Sequence, residues 1–289
     1  MLYPSLKGTK NKIILKPIKA ALLSDIHIGS KTFCRTNFQQ LLAKINADES
    51  IKYMIIAGDT VDGVATYPKQ EEDLLYRCFK AQYNELGLLL SGLRSDITVI
   101  ISPGNHDYTS KVEPQCLGQN VKQILNKYRK IHYVSNPGYF EIEGLRYLIY
   151  HGASYNAIIA GNEEFSCDKP WIVSEFVLDT RLLSPIPGIT PIRPTTRPYH
   201  IVPDRVDIFH TGHLHSSGFS RHSSGTRVVC TGTWQHLTPY MDLLGYKPAL
   251  ASAMILNLSN LDQVEQWVLV DENTENYNYK IASLKEPII

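Results

Sequence analysis

The chain has no Cys-x-x-Cys pair, no apolar run long enough to cross a bilayer, no internal repeat, no low-complexity tract and almost no net charge. Each absence excludes something. The cysteines are Cys34, Cys78, Cys116, Cys167 and Cys230, an odd and scattered set. That excludes a paired-thiolate zinc site and fits reduced thiols in the cytoplasm better than a disulfide framework. No stretch approaches the ~20 apolar residues of a membrane span. Met1 to Lys19 lacks the apolar centre of a signal peptide, so neither export nor membrane attachment is expected. A formal net charge of +1 excludes a surface that attracts polyanions over its whole extent. At 289 residues the chain buries enough core to need no cross-links.

The charge that is present is unevenly placed. Lys7, Lys10, Lys12, Lys16 and Lys19 lie in the first 20 residues with no acid among them. Residues 261–289 carry six acids against two lysines. Residues 1–19 read as a basic arm or linker, able to meet a nucleic-acid backbone or simply to stay solvated. Residues 20–289 read as one domain.

Within that domain apolar runs alternate with helical patterns. Ala20–Leu23, Tyr53–Ala57, Ile97–Ile101, Tyr147–Tyr150 and Val206–Phe209 look like buried strands. Asn37–Ile45 and Glu71–Leu93 are expected to be helices, the second from a stripe at 74, 75, 78, 79, 86, 89, 90 and 93. Tyr139–Tyr147 alternates about Glu143-Gly144 and predicts a hairpin. Six prolines between Ser184 and Pro203 exclude a regular helix or central strand there, and Arg193 and Arg197 in that loop are candidates for phosphate contacts. Strands are expected again at Asp207–Phe209, Thr226–Thr231 and Ala253–Leu258. The strand–helix–strand order indicates an α/β core.

The chemistry sits just beyond the apolar runs, in Asp25-Ile26-His27, Gly58-Asp59-Thr60-Val61-Asp62, Gly104-Asn105-His106-Asp107, His151-Gly152 and Gly212-His213-Leu214-His215. Taken singly, each is an ordinary turn, cap or core histidine. Strand ends that converge on one rim form a ligand site, and together these supply Asp25, His27, Asp59, Asn105, His151, His213 and His215. Nitrogen and oxygen donors without thiolate suit Mn, Fe, Zn, Ni or Co. Seven donors are too many for one open catalytic ion and suit two ions that share a carboxylate, for which Asp59, in the middle of the set, is the best bridge. Two dications against two carboxylates leave net positive charge, which attracts an anion such as phosphate. A metal pair can lower the pKa of bound water and clamp the oxygens of an in-line displacement. His106, next to a donor and beside Asp107, is placed to stabilise a leaving oxygen, with Asp107 as its orienting carboxylate.

All five motifs, in this order, resemble the calcineurin-like metallophosphoesterase superfamily. The resemblance implies an α/β fold, a two-sheet β-sandwich flanked by helices with a dinuclear site at the strand ends. It implies that one ion takes Asp25, His27, Asp59 and His215, and the other Asp59, Asn105, His151 and His213, with His106 catalytic and Asp62 outside the direct ligands. Ser24–Phe33, Ile56–Gly63, Tyr67–Glu72, Ser102–Asp107, Leu148–Gly152, Asp207–His213 and Gly232–Gln235 are similar to the small subunit of archaeal D-family DNA polymerase. That likeness covers most of residues 20 to 240. It implies a 3′–5′ exonuclease that favours Mn²⁺ (Fe or Zn being compatible with the donors), acts on single-stranded or frayed DNA ends, and assembles with a large polymerase subunit. That family carries an oligonucleotide-binding barrel before the phosphoesterase domain. The two dozen or so residues before Asp25 are too few for one, so an isolated domain or a short free-standing relative is expected.

Two other functions remain open from sequence: a phosphodiesterase or phosphomonoesterase of small esters, and a polymerase accessory subunit that docks through its acidic carboxyl-terminal segment. Tyr67 and Trp234 are candidates for stacking on an unpaired base.

Overall fold

In a computed structural model the residues described are 17–186, 188–196, 198–238, 241 and 247–269. Most of the basic arm (Lys7, Lys10, Lys12 and Lys16), Arg197 and the acidic segment from residue 270 onward lie outside them.

Each apolar run becomes a strand whose alternate side chains enter different layers. In β1 (Lys19–Leu23), Ala20 and Leu22 point into one cluster and Ala21 and Leu23 into another. The same alternation holds in β2 (Ile51–Ala57), β3 (Thr98–Ser102) and β6 (Leu145–Tyr150). Burial on both faces is why these strands read as continuous apolar runs rather than as alternating ones.

Two sheets result. The first has order β11-β10-β1-β2-β3-β4 and adds β4 (His132–Tyr133), β10 (Ser252–Asn257) and β11 (Val264–Val268). The second has order β5-β6-β7-β9-β8, with β5 (Gly138–Ile142), β7 (Ile208–Thr211), β8 (Gly218–Arg221) and β9 (Arg227–Cys230). Strands β1 to β4 pair in parallel, as do β6, β7 and β9. Ala20, Leu22, Ile55 and Ile100 of one sheet meet Tyr147, Ile149, Ile208 and Val229 of the other. Outside them, α1 (Arg35–Ala47), α2 (Phe79–Ser91) and α3 (Gln119–Leu125) cover the first sheet, and α4 (Tyr155–Ala160) and α5 (Pro170–Thr180) the second. This is the expected two-sheet sandwich flanked by helices. Among the described residues no helix is long and apolar enough to cross a membrane.

The Tyr139–Tyr147 hairpin forms as expected. Glu143 (φ 49°) and Gly144 (φ 74°) make its turn, the left-handed pair that matches strand twist. Residues 184–203 contain no helix or strand among those described, only isolated bridges such as Glu113 with Ile192. The helix expected over Glu71–Leu93 is corrected: a short 3-10 turn, Gln70–Glu72, precedes α2, which starts only at Phe79. The intervening backbone is taken by tertiary bonds. Leu75 and Tyr76 donate to the Gly29 carbonyl, and Lys31 donates to that of Asp73. Tertiary hydrogen bonds override helix propensity in this segment.

Candidate metal centre

The five motifs meet where the carboxyl ends of the parallel strands converge. Asp25 follows β1, Asp59 follows β2, Asn105 follows β3, His151 follows β6 and His213 follows β7. Five of the seven expected donors have positive φ: Asp25 (51°), His27 (52°), Asp59 (48°), His213 (70°) and His215 (56°). Asp and His visit this region more readily than most residues, but it still costs on the order of 1–3 kcal/mol each. The chain turns sharply at each strand end and delivers the side chain inward. Glycine makes room: a Cβ on Gly104 would lie 2.2 Å from Asp59 Oδ1, and one on Gly58 2.4 Å from His151 Nδ1.

Three groups of potential metal ligands form: Asp25 with His27 and His215, Asp59 with His151 and His213, and His27 with Asp62 and His106. Asp59 lies between the first two. Its Oδ2 is 3.1 Å from His151 Nε2 and 3.9 Å from His27 Nε2, and its Oδ1 accepts the His106 amide at 2.8 Å. Asn105 Oδ1 is 3.0 Å from His151 Nε2. The structure therefore brings all seven residues to one place.

Their hydrogen bonds leave lone pairs facing one another. His151 Nδ1 donates to the Ala57 carbonyl at 2.8 Å, so in the neutral ring Nε2 turns a lone pair toward two oxygen acceptors. His27 Nδ1 donates to Asp62 Oδ1 at 2.9 Å, which aims Nε2 at His215 Nε2, 3.2 Å away. Asp25 Oδ1 is buried and makes no well-formed hydrogen bond, with His215 Nε2 at 3.4 Å and His27 Nε2 at 4.0 Å. A buried carboxylate oxygen without a partner is costly, and a cation is the group that satisfies it together with the opposed lone pairs. The donors fit a pair of divalent ions.

Burial pushes the Asp59 carboxyl up, but the charges of His151, His106 and His27 outweigh it and hold it well below the usual carboxylate range. Burial pulls His151 down, yet Asp59 beside it raises it to about 10, so a cation must displace the Nε2 proton to use that lone pair. His213 goes the other way, to about 3, through burial and the nearby His151.

The third group is better read as a chain of orienting bonds than as an ion cage. Asp62 Oδ1 accepts from His27 and from Gln235 Nε2 (3.2 Å), and its Oδ2 accepts from Gln70 Nε2 (3.0 Å). Such a carboxylate fixes the tautomer of a ligating histidine. Gln70 and Gln235, both buried, hold that carboxylate in turn. They lie in segments whose likeness to known subunits was visible, but nothing in their pattern pointed to this role. Asn156, whose Nδ2 is 3.1 Å from His213 Nε2, gave no sequence signal.

One expected pairing is corrected. Asp107 does not hydrogen-bond the His106 ring. It accepts from the hydroxyls of Thr60 and Tyr83 and from the Gly104 amide, and so ties the Asn105 loop to the end of β2. The acceptor on His106 Nδ1 is the Asp62 carbonyl, at 2.8 Å. Trp234 is also corrected as a stacking candidate, being fully buried edge-on against Phe38. Tyr67, in contrast, lines the cavity over the site. That cavity measures about 250 Å³ and is bordered also by His106, Asn156, Thr238 and Met241. Arg193 is not among the residues lining it.

Residues 18–226 match the sequence profile of the calcineurin-like phosphoesterases. Among curated proteins, a DNA polymerase II small subunit of Methanocaldococcus jannaschii is 33% identical over 96% of this chain and 49% of its own length. One from Archaeoglobus fulgidus is 37% identical over 78% of this chain and 48% of its own. The chain thus spans about half the length of these relatives. A solved structure described as a novel archaeal phosphodiesterase is similar with a TM-score of 0.45 and 17% identity, covering 87% of this chain and 100% of that one.

Proposed function

This chain belongs to the calcineurin-like phosphoesterase family, and we propose that it is a Mn²⁺-dependent 3′–5′ DNA exonuclease, hydrolysing phosphodiesters at single-stranded or frayed ends. The observation that carries this reading is the gathering of Asp25, His27, Asp59, Asn105, His151, His213 and His215 at one place, where His27, Asp59, Asn105, His213 and His215 line a cavity together with His106. The relatives named as DNA polymerase II small subunits point to DNA as the substrate and to a large polymerase subunit as the partner.

Asp25, His27 and His215 would hold one ion of a metal pair, and Asn105, His151 and His213 the other, with Asp59 between the two groups. When bound, two divalent ions supply Lewis acidity toward water and toward the phosphate oxygens. The protein supplies the rest. Asp62 and the Ala57 carbonyl fix the His27 and His151 tautomers, so their Nε2 lone pairs stay in the site. The Asp62 carbonyl accepts the Nδ1 hydrogen of His106, so the imidazolium form of the ring can pass its Nε2 proton to the departing ester oxygen and is left neutral. With both ions bound the centre would carry net positive charge, which attracts a phosphodiester anion.

The test is a labelled single-stranded oligonucleotide incubated with Mn²⁺ and either the wild-type chain or His106→Ala. Stepwise loss of 3′ nucleotides by the wild type alone is expected. Absence of cutting, or equal cutting by both, overturns the reading. The cavity volume of about 250 Å³ favours a second reading, a phosphodiesterase of small esters. Turnover of an aryl phosphodiester without any on DNA would select it. Co-purification with a large polymerase subunit tests the assembly, whichever substrate holds.

A further inference from the structure

One side chain of the cavity has no part in holding metal or moving protons. Tyr67 is the only phenolic or indole ring among the described residues that line it, and with Met241 it supplies the large apolar surface there. Every other lining side chain is polar or ionisable. The ring centroid lies 6.3 Å from that of His106, at an interplanar angle of 59°, beside the ring assigned above to the departing oxygen.

The ring is also held in place. Tyr67 Oη donates to Asp73 Oδ2 at 3.1 Å. Its loop is pinned from below: Gln70 Oε1 accepts the Thr66 amide at 2.8 Å while Gln70 Nε2 donates to the Asp62 carbonyl at 2.7 Å. Gln82 Oε1 accepts the Gly63 amide, and its Nε2 donates to the Gly63 and Tyr76 carbonyls. Ala65 (φ 58°) and Lys69 (φ 63°) close the turn on either side. An aromatic ring fixed by its own hydroxyl, on a loop tied to the carboxylate that orients His27, is pre-organised for a flat partner and loses little freedom on binding.

We propose that Tyr67 is the platform on which the base of the terminal nucleotide stacks, so that the centre takes unpaired ends; this rests on the DNA reading given above. Stacking tolerates every base, because each has a π-face, and needs the base free of its pairing partner. Duplex ends then react only as they fray.

The experiment compares, with Mn²⁺, two single-stranded oligonucleotides alike except that one ends in an abasic residue. The wild type is expected to favour the base-bearing end about tenfold in kcat/KM, within what one base–aromatic stack contributes. Tyr67→Ala shrinks that ratio to near one. Tyr67→Phe keeps the ring without the Asp73 bond and retains most of the preference. Persistence of the ratio in Tyr67→Ala, its loss in Tyr67→Phe, or its absence from the wild type overturns the stacking role while the nuclease reading stands. If the wild type hydrolyses an aryl phosphodiester but neither oligonucleotide, the DNA reading falls and this inference with it.

Discussion

Nδ1 of His27 donates to the Asp62 carboxylate at 2.9 Å, and both partners are buried. The bond commits one ring nitrogen and so decides which one remains for a metal. It also shows how Asp62 acts on the centre without joining the donor set.

Asp62→Ala should therefore weaken Mn²⁺ binding about 10- to 100-fold, the usual effect of losing a partner behind a ligating histidine. Titration calorimetry with Mn²⁺ measures this. Affinity equal to that of the wild type would remove Asp62 from the role.

His106 lines the cavity but lies outside the donor set, so His106→Ala should bind Mn²⁺ in the wild-type stoichiometry. Single-turnover hydrolysis should fall by about 10²- to 10⁴-fold, the range for loss of a general acid. Loss of metal together with activity would instead make His106 part of the metal cage.

A Cβ on Gly104 would meet Asp59 Oδ1 at 2.2 Å and the Asp59 amide at 2.6 Å. The backbone amide cannot swing aside, so the carboxylate between the two ligand groups must shift. Gly104→Ala should lower stability by about 1–3 kcal/mol. It should also abolish the rise in Tm that Mn²⁺ gives the wild type. Differential scanning calorimetry with and without the ion reads both effects.

His210 is fully buried between Tyr147 Oη (2.9 Å) and Thr231 Oγ1 (3.1 Å), and burial pushes it down to about 3. Between pH 6.5 and 3 the unfolded chain binds a proton there and the folded one does not. The neutral ring thus contributes stability that is present above pH 6.5 and lost as pH falls through that window, up to about 4–5 kcal/mol at its lower end. Denaturant unfolding of His210→Gln should show a shallower acid decline than the wild type. Parallel curves would show that His210 takes no part in it.

The parts of this protein legible in its sequence are those whose cause is local or repeated. Apolar runs at Ala20–Leu23 and Tyr147–Tyr150 announce buried strands, and Glu143-Gly144 announces a left-handed turn. Metal-type side chains placed just beyond five such runs announce a site, because a strand end can deliver a side chain in only a few ways. Partners that depend on the third dimension were not legible. Asp107 is next to His106 in the chain yet bonds Thr60, Tyr83 and Gly104, because its buried carboxylate takes whatever donors the fold brings to it. The helix expected from Glu71 starts at Phe79 because Gly29 captures the amides of Leu75 and Tyr76. The sequence by itself determined the layers of the sandwich and the chemical types at its rim. Only the tertiary structure decided which nitrogen of each histidine faces inward and which ring walls the cavity, since both depend on hydrogen bonds between residues far apart in the chain.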